Sequence, residues 1–165
     1  MANLPQFRTG CEPHVVSAES AAQAIVYRQL AQRDRTRAQL AKKLAERDVS
    51  ESVAAEVLDS FEAAGLVDDA RYAHRFTELS RDERGQSRRM ISLKLKEAGV
   101  SADLIDSALE DYEDEHGVAR ALALRKAEST EGLDREARFR RISGFLARRG
   151  FPSEVVVSVT REVLG

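Results

Sequence analysis

Residues 40–57 read LAKKLAERDVSESVAAEV, residues 91–108 read ISLKLKEAGVSADLIDSA, and residues 142–159 read ISGFLARRGFPSEVVVSV. Laid over one another without a gap, they repeat at an interval of 51 residues. Leu40 falls on Ile91 and Ile142, and Leu44 on Leu95 and Leu146. Val49 falls on Val100 and Phe151, and Val53 on Leu104 and Val155. Ala54 falls on Ile105 and Val156, and Val57 on Ala108 and Val159. Chance produces two or three such matches, not six sets in one register, so the chain is read as a repeat before any element is named.

Each copy has a helical period. Leu40 and Leu44, Ile91 and Leu95, and Ile142 and Leu146 lie one turn apart on one helix face. Thr36 with Gln39 has the capping-box spacing, and Ser87 holds the same register in the second copy. The middle helix should stop at Asp48, Gly99 and Gly150, because helix ends favour a left-handed residue and glycine adopts that conformation freely; Asp tolerates it less readily. Ser50 and Ser101 then read as N-caps of a following helix, and Pro152 suits a first turn. Apolar anchors for that helix are Val53, Val57 and Phe61 in the first copy, Leu104, Ala108 and Tyr112 in the second, and Val155, Val159 and Val163 in the third. A leading helix precedes each pair, carrying Ile25 and Leu30, then Tyr72, Phe76 and Leu79, then Leu122 and Leu124. A polar loop at 130–134 breaks the register in the third copy. The expected fold class is all-α, with three tandem three-helix repeats in an elongated row that can curve. Its parts are a flexible tail over 1–18 and repeats over 19–67, 68–116 and 117–165. Units of this size are marginal alone, so neighbours are expected to stack and share apolar faces.

Composition agrees with helices. The chain has 165 residues, 42% hydrophobic and 33% charged, with only nine Gly and three Pro, and Ala, Leu, Glu, Arg and Lys are strong helix formers. No apolar run reaches the roughly 18 residues of a membrane span. Met1–Ser20 lacks the basic start and apolar stretch of a signal peptide, and the single Cys11 has no internal disulfide partner. A cytoplasmic location is expected. The net charge of −2 hides alternating blocks: residues 28–47 carry seven Lys/Arg against two acids, and residues 48–69 carry seven acids and no base. The alternation continues through a basic 70–100, an acidic 101–116 and a basic 117–151. Such blocks either neutralise neighbouring solvated helices or present local basic faces to a polyanion or an acidic protein groove.

Enzyme signatures are missing. There is no G-x-x-x-x-G-K-[ST] loop and no G-x-S-x-G elbow. His14, His74, His116 and Cys11 have no metal-ligand spacing. Asp68-Asp69 is read as a helix cap rather than an acid/base pair. No catalytic residue, metal or cofactor is assigned. The basic residues, most of them on the middle helices, carry more information, and six are selected as candidate partner-binding residues: Arg75 on the leading helix of the second copy, and Arg88, Arg89, Arg141, Arg148 and Arg149.

Gly65-Leu66-Val67-Asp68-Asp69-Ala70-Arg71-Tyr72-Ala73 resembles the segment joining the first two units of RecX proteins. Arg88-Arg89 ahead of Ile91 and Leu95 is similar to that family's second unit, and Gly144-Phe145-Leu146-Ala147-Arg148-Arg149-Gly150-Phe151 to its third. The resemblance covers about residues 21–164. It implies a regulator without enzymatic activity that binds the RecA recombinase filament along its groove and restrains RecA in DNA repair and the SOS response. A monomer is expected, with no membrane partner and with DNA touched through basic faces. Many RecX proteins are basic overall; the slight negative charge here favours protein contacts over independent DNA binding. A general helical nucleic-acid-binding protein unrelated to RecA is the alternative reading.

Overall fold

The computed structural model describes residues 17–110, 112 and 114–165. Most of the tail assigned to 1–18, with Cys11 and His14, lies outside the described residues; Ser17 and Ala18 cap and open the first helix. Nine α-helices form among the described residues: α1 (Ala18–Gln32), α2 (Arg37–Ala45), α3 (Glu51–Ala63), α4 (Asp69–Asp82), α5 (Arg88–Glu97), α6 (Ala102–Ala108), α7 (Glu115–Glu128), α8 (Arg135–Ala147) and α9 (Ser153–Leu164). The all-α, three-by-three architecture follows the repeat. The closest helix packing is within α1–α3, within α4–α6 and within α7–α9.

Each unit closes on its own core. Leu40, Leu44, Ile91, Leu95, Ile142 and Leu146 are all fully buried, so the repeated middle-helix positions have the same environment three times over. Each such side chain contributes about 1.5–3 kcal/mol by leaving water. The three cores are separate clusters. The expected sharing of apolar faces between units is therefore corrected: the joints between units are built mainly from polar contacts.

The middle helices end alike. The amides of Val49, Val100 and Phe151 reach back to the carbonyls of Leu44, Leu95 and Leu146, at 3.2, 3.1 and 3.5 Å. This closure needs a left-handed residue just before, and Asp48, Gly99 and Gly150 supply it with φ of 59°, 81° and 87°. Thr36 and Ser87 cap as expected, accepting from the amides of Gln39 and Met90 at 3.2 and 3.1 Å. Ser50 and Ser101 hold the N-cap position with extended backbone, but their hydroxyls accept no cap hydrogen bond.

Two expectations about the flanking helices are revised. The leading helices pack through smaller residues than the anchors named from periodicity. Ala22 and Val26 are fully buried in α1, Ala73 and Thr77 are buried in α4, and Ala119 and Ala123 in α7. The large side chains lie at the margin: Leu79 and Leu124 are exposed, and Ile25, Tyr72, Phe76 and Leu122 are partly buried. Small residues let the leading helix approach its partners closely. They also date the slip in register: Ala22 to Ala73 is 51 residues, whereas Ala73 to Ala119 is 46. The third helix of unit two is also short. α6 stops at Ala108, and Tyr112 is buried from beyond its end rather than as a helical anchor. The acids from Glu110 to Glu115 oppose helix extension, because negative charge is unfavourable at a C-terminus. Tyr112 instead folds inward and donates its hydroxyl to the Gln86 carbonyl at 2.8 Å.

Candidate interaction surface

The units meet through their middle helices, end to end. At the first joint, the fully buried Thr36 donates its hydroxyl to the Ala98 carbonyl at 2.5 Å, so the N-terminus of α2 sits on the C-terminus of α5. At the second, the Ser87 amide donates to the Arg149 carbonyl at 3.0 Å, so the N-terminus of α5 sits on the C-terminus of α8. Thr36 and Ser87 are 51 residues apart, as are Ala98 and Arg149; the two joints use corresponding positions, through a hydroxyl at the first and a main-chain amide at the second. Opposite dipole ends face each other there, which is favourable. The left-handed glycines also permit the approach. A Cβ on Gly99 would overlap the Cβ of Ala38, and one on Gly150 would come within 2.8 Å of both Ser87 and Met90. Asp48, at the same register in unit one, is exposed, and none of the other described helices is seated on it.

An acidic doublet reinforces each joint. Asp68 caps its own helix, accepting from the Arg71 amide at 2.8 Å, while Asp69 accepts from the Arg37 amide at the start of α2 at 2.8 Å. Asp114 and Glu115 repeat this: Asp114 accepts from the Gly117 amide at 2.7 Å, and Glu115 from the Arg88 amide at 3.0 Å. Reading Asp68-Asp69 as caps is correct for both acids, but the second caps a helix of the neighbouring unit. Only the spacing of the two doublets hinted at this.

The six candidate arginines have different surroundings. Arg75 is exposed and pairs with Asp34 across the first joint at 2.6 Å. Arg88 donates to the Leu109 carbonyl at 2.9 Å and so ties the end of α6 to α5. Its counterpart Arg37 grips α3 through Asp59 and Glu62 at 2.7 and 2.6 Å. Burial pulls the Arg37 guanidinium down, but Asp59 and Glu62 outweigh it and leave it raised. Arg89, Arg141 and Arg148 are exposed, and their side chains make no hydrogen bond or ion pair with other described residues. Arg149 is half-buried: its guanidinium lies 3.7 Å from the Phe145 ring centre, and it donates to the Arg84 carbonyl at 3.2 Å. Burial, then the neighbouring Arg148, pulls its pKa down. The six thus divide into Arg89, Arg141 and Arg148, open to a partner, and Arg75, Arg88 and Arg149, engaged within or between units.

The outward face of α5 presents Arg89, Leu93 and Lys96 at i, i+4 and i+7. Leu93 is half exposed despite its size. The equivalent faces carry Ala38, Lys42 and Ala45 on α2, and Arg140, Gly144 and Ala147 on α8 with Arg148 beside them. Laid end to end, the three helices follow a path of roughly 50 Å. The surface offers cations beside short apolar patches. Among the described residues no group of three or more His, Cys, Asp and Glu is placed to hold a metal ion, and no helix is long and apolar enough to cross a membrane.

Comparison with known proteins gives the same division into units. Family models for the first, second and third three-helix domains of RecX match residues 22–61, 68–109 and 113–160. The chain is 42% identical over 145 residues to a regulatory protein RecX of Streptomyces coelicolor, covering 87% of this chain and 77% of that one. It is 40% identical over 146 residues to a regulatory protein RecX of Mycobacterium ulcerans, covering 87% and 84%. The crystal structure of RecX from Lactobacillus salivarius superposes with a TM-score of 0.74 at 20% identity over 88% of this chain and 96% of that one, a likeness of fold. With three domain matches in tandem and relatives at this identity, the chain belongs to the RecX family of regulatory proteins.

Proposed function

We propose that this protein is a cytoplasmic, non-catalytic regulator that binds RecA–DNA filaments along their groove as a monomer and restrains filament extension, ATP hydrolysis and strand exchange in DNA repair and the SOS response. The observation that carries this reading is the end-to-end row of middle helices. Joints at corresponding positions set three middle-helix faces in one row, and a target with its own repeat can engage them in succession. Arg89, Arg141 and Arg148 are the cations free to meet acidic filament surface or DNA phosphate, with Leu93 as an apolar contact among them. Arg75, Arg88 and Arg149 act in this reading mainly by holding the units in register.

Co-sedimentation with RecA on single-stranded DNA, alongside RecA-catalysed ATP hydrolysis, tests this. Reversing Arg89 and Arg148 to Glu should weaken both binding and inhibition at least tenfold while leaving the helical circular dichroism unchanged. Full inhibition by that variant would remove the basic face from the mechanism. Equal retention on naked duplex DNA, with a steep salt dependence, would favour a general nucleic-acid-binding protein instead.

A further inference from the structure

The two joints are built alike but filled differently. In the first, Asp34 and Arg75 form an exposed ion pair across the joint at 2.6 Å. In the second, the corresponding positions are Gly85 and Ala121, by the 51- and 46-residue intervals of the middle and leading helices. No such pair forms there; Gly85, packed against Leu122, and Ala121 line a cleft of about 390 Å³ between units two and three. Four guanidiniums, from Arg81, Arg84, Arg125 and Arg149, border it against two carboxylates, Asp82 and Glu83. Arg81 is paired with Asp82. The Arg84 and Arg125 side chains make no hydrogen bond or ion pair with other described residues, and Arg149 donates only to main-chain carbonyls.

The first joint closes without a cation at two of the corresponding places. Ala98 holds the place of Arg149 at the first joint, and Leu79 the place of Arg125, yet that joint closes through Thr36 all the same. Val118, Leu122 and Phe145 supply an apolar wall. Planar guanidiniums converging on one space suit a phosphoryl group, whose oxygens accept their paired donors. The volume lies within the range of small-ligand sites and is too small for a duplex. We propose that this cleft between the second and third units binds a small phosphorylated ligand, such as pyrophosphate or the phosphate chain of a nucleotide. Its phosphates meet Arg84, Arg125 and Arg149, and in a nucleotide the base rests on Leu122 and Val118. Because Arg84 belongs to unit two and the other two to unit three, the ligand clamps the joint. This site is independent of the filament reading, and either can fail without the other.

Isothermal titration and thermal unfolding of the full chain at low ionic strength, with pyrophosphate and with ATP, test the site; sodium chloride of matched ionic strength is the blank. Saturable binding and a raised unfolding temperature are expected. Arg125→Leu, which installs the residue of the first joint, and Arg84→Ala should each weaken binding tenfold or more. Arg161→Ala, on the exposed side of α9, should leave it unchanged. Absence of saturable binding, or an affinity in Arg125→Leu and Arg84→Ala unchanged from that of the unsubstituted chain, would overturn the proposal. A short oligonucleotide with and without a 5′-phosphate separates the sources of phosphate. If the cleft variants weaken only oligonucleotide binding, and pyrophosphate and ATP do not bind, the small-ligand assignment is wrong.

Discussion

Replacing Gly99 by Ala tests whether the units are pressed together at the point where α5 ends. Two costs arise there and can be separated. Gly99 has φ of +81°, so an L side chain pays about 1–2 kcal/mol for the left-handed backbone. Its new Cβ would also overlap the Cβ of Ala38 in unit one, and relieving such overpacking costs about 1–3 kcal/mol more. Gly65 is the internal control, since it has φ of +68° with nothing within 4 Å of its would-be Cβ. Gly65→Ala should therefore cost the backbone strain alone, and Gly99→Ala about 2–5 kcal/mol in total. Urea unfolding followed by circular dichroism measures both. Hydrogen exchange at the Arg37 amide reads the joint directly, because Asp69 of unit two accepts its hydrogen bond. Ala38→Gly in the Gly99→Ala background should recover the overlap term but not the strain. If Gly99→Ala and Gly65→Ala are equally mild and exchange at Arg37 is unchanged, the joint described here is not a close contact.

Thr36→Ala removes both the cap on α2 and the bond to the Ala98 carbonyl, and should lower stability by about 1–3 kcal/mol; Thr36→Ser keeps the hydroxyl and should retain most of it. Leu44→Ala, Leu95→Ala and Leu146→Ala should each cost about 2–5 kcal/mol in urea unfolding. A cost well outside that range at one site would mean the three environments are not equivalent. Burial, with Glu115 nearby, pushes the Tyr112 phenol above its ordinary value. The neutral form is thus favoured by folding, so its contribution is full below about pH 10 and is lost as pH rises through the raised folded value. Tyr112→Phe should remove that part of the alkaline destabilisation; an unchanged pH profile above about 10 would refute the assignment.

The amino-acid sequence by itself determined the repeat, the middle helices and their ends. Those features are local or periodic: two apolar residues one turn apart, a hydroxyl before them, and a left-handed residue after them. The family resemblance rested on the same segments. It could not show that α6 stops early, because Tyr112 has the right spacing for a helix and reaches the core from a turn instead. Nor could it show that Ala, not Leu, lines the leading helices, since that depends on how closely the helices approach. The fates of the arginines were decided only in three dimensions. Arg88 and Arg89 are neighbours in sequence, yet one grips the Leu109 carbonyl and the other faces outward. The joints belong to the tertiary structure for the same reason: Thr36 and Ala98 are 62 residues apart, and no local pattern reports which carbonyl a buried hydroxyl will meet.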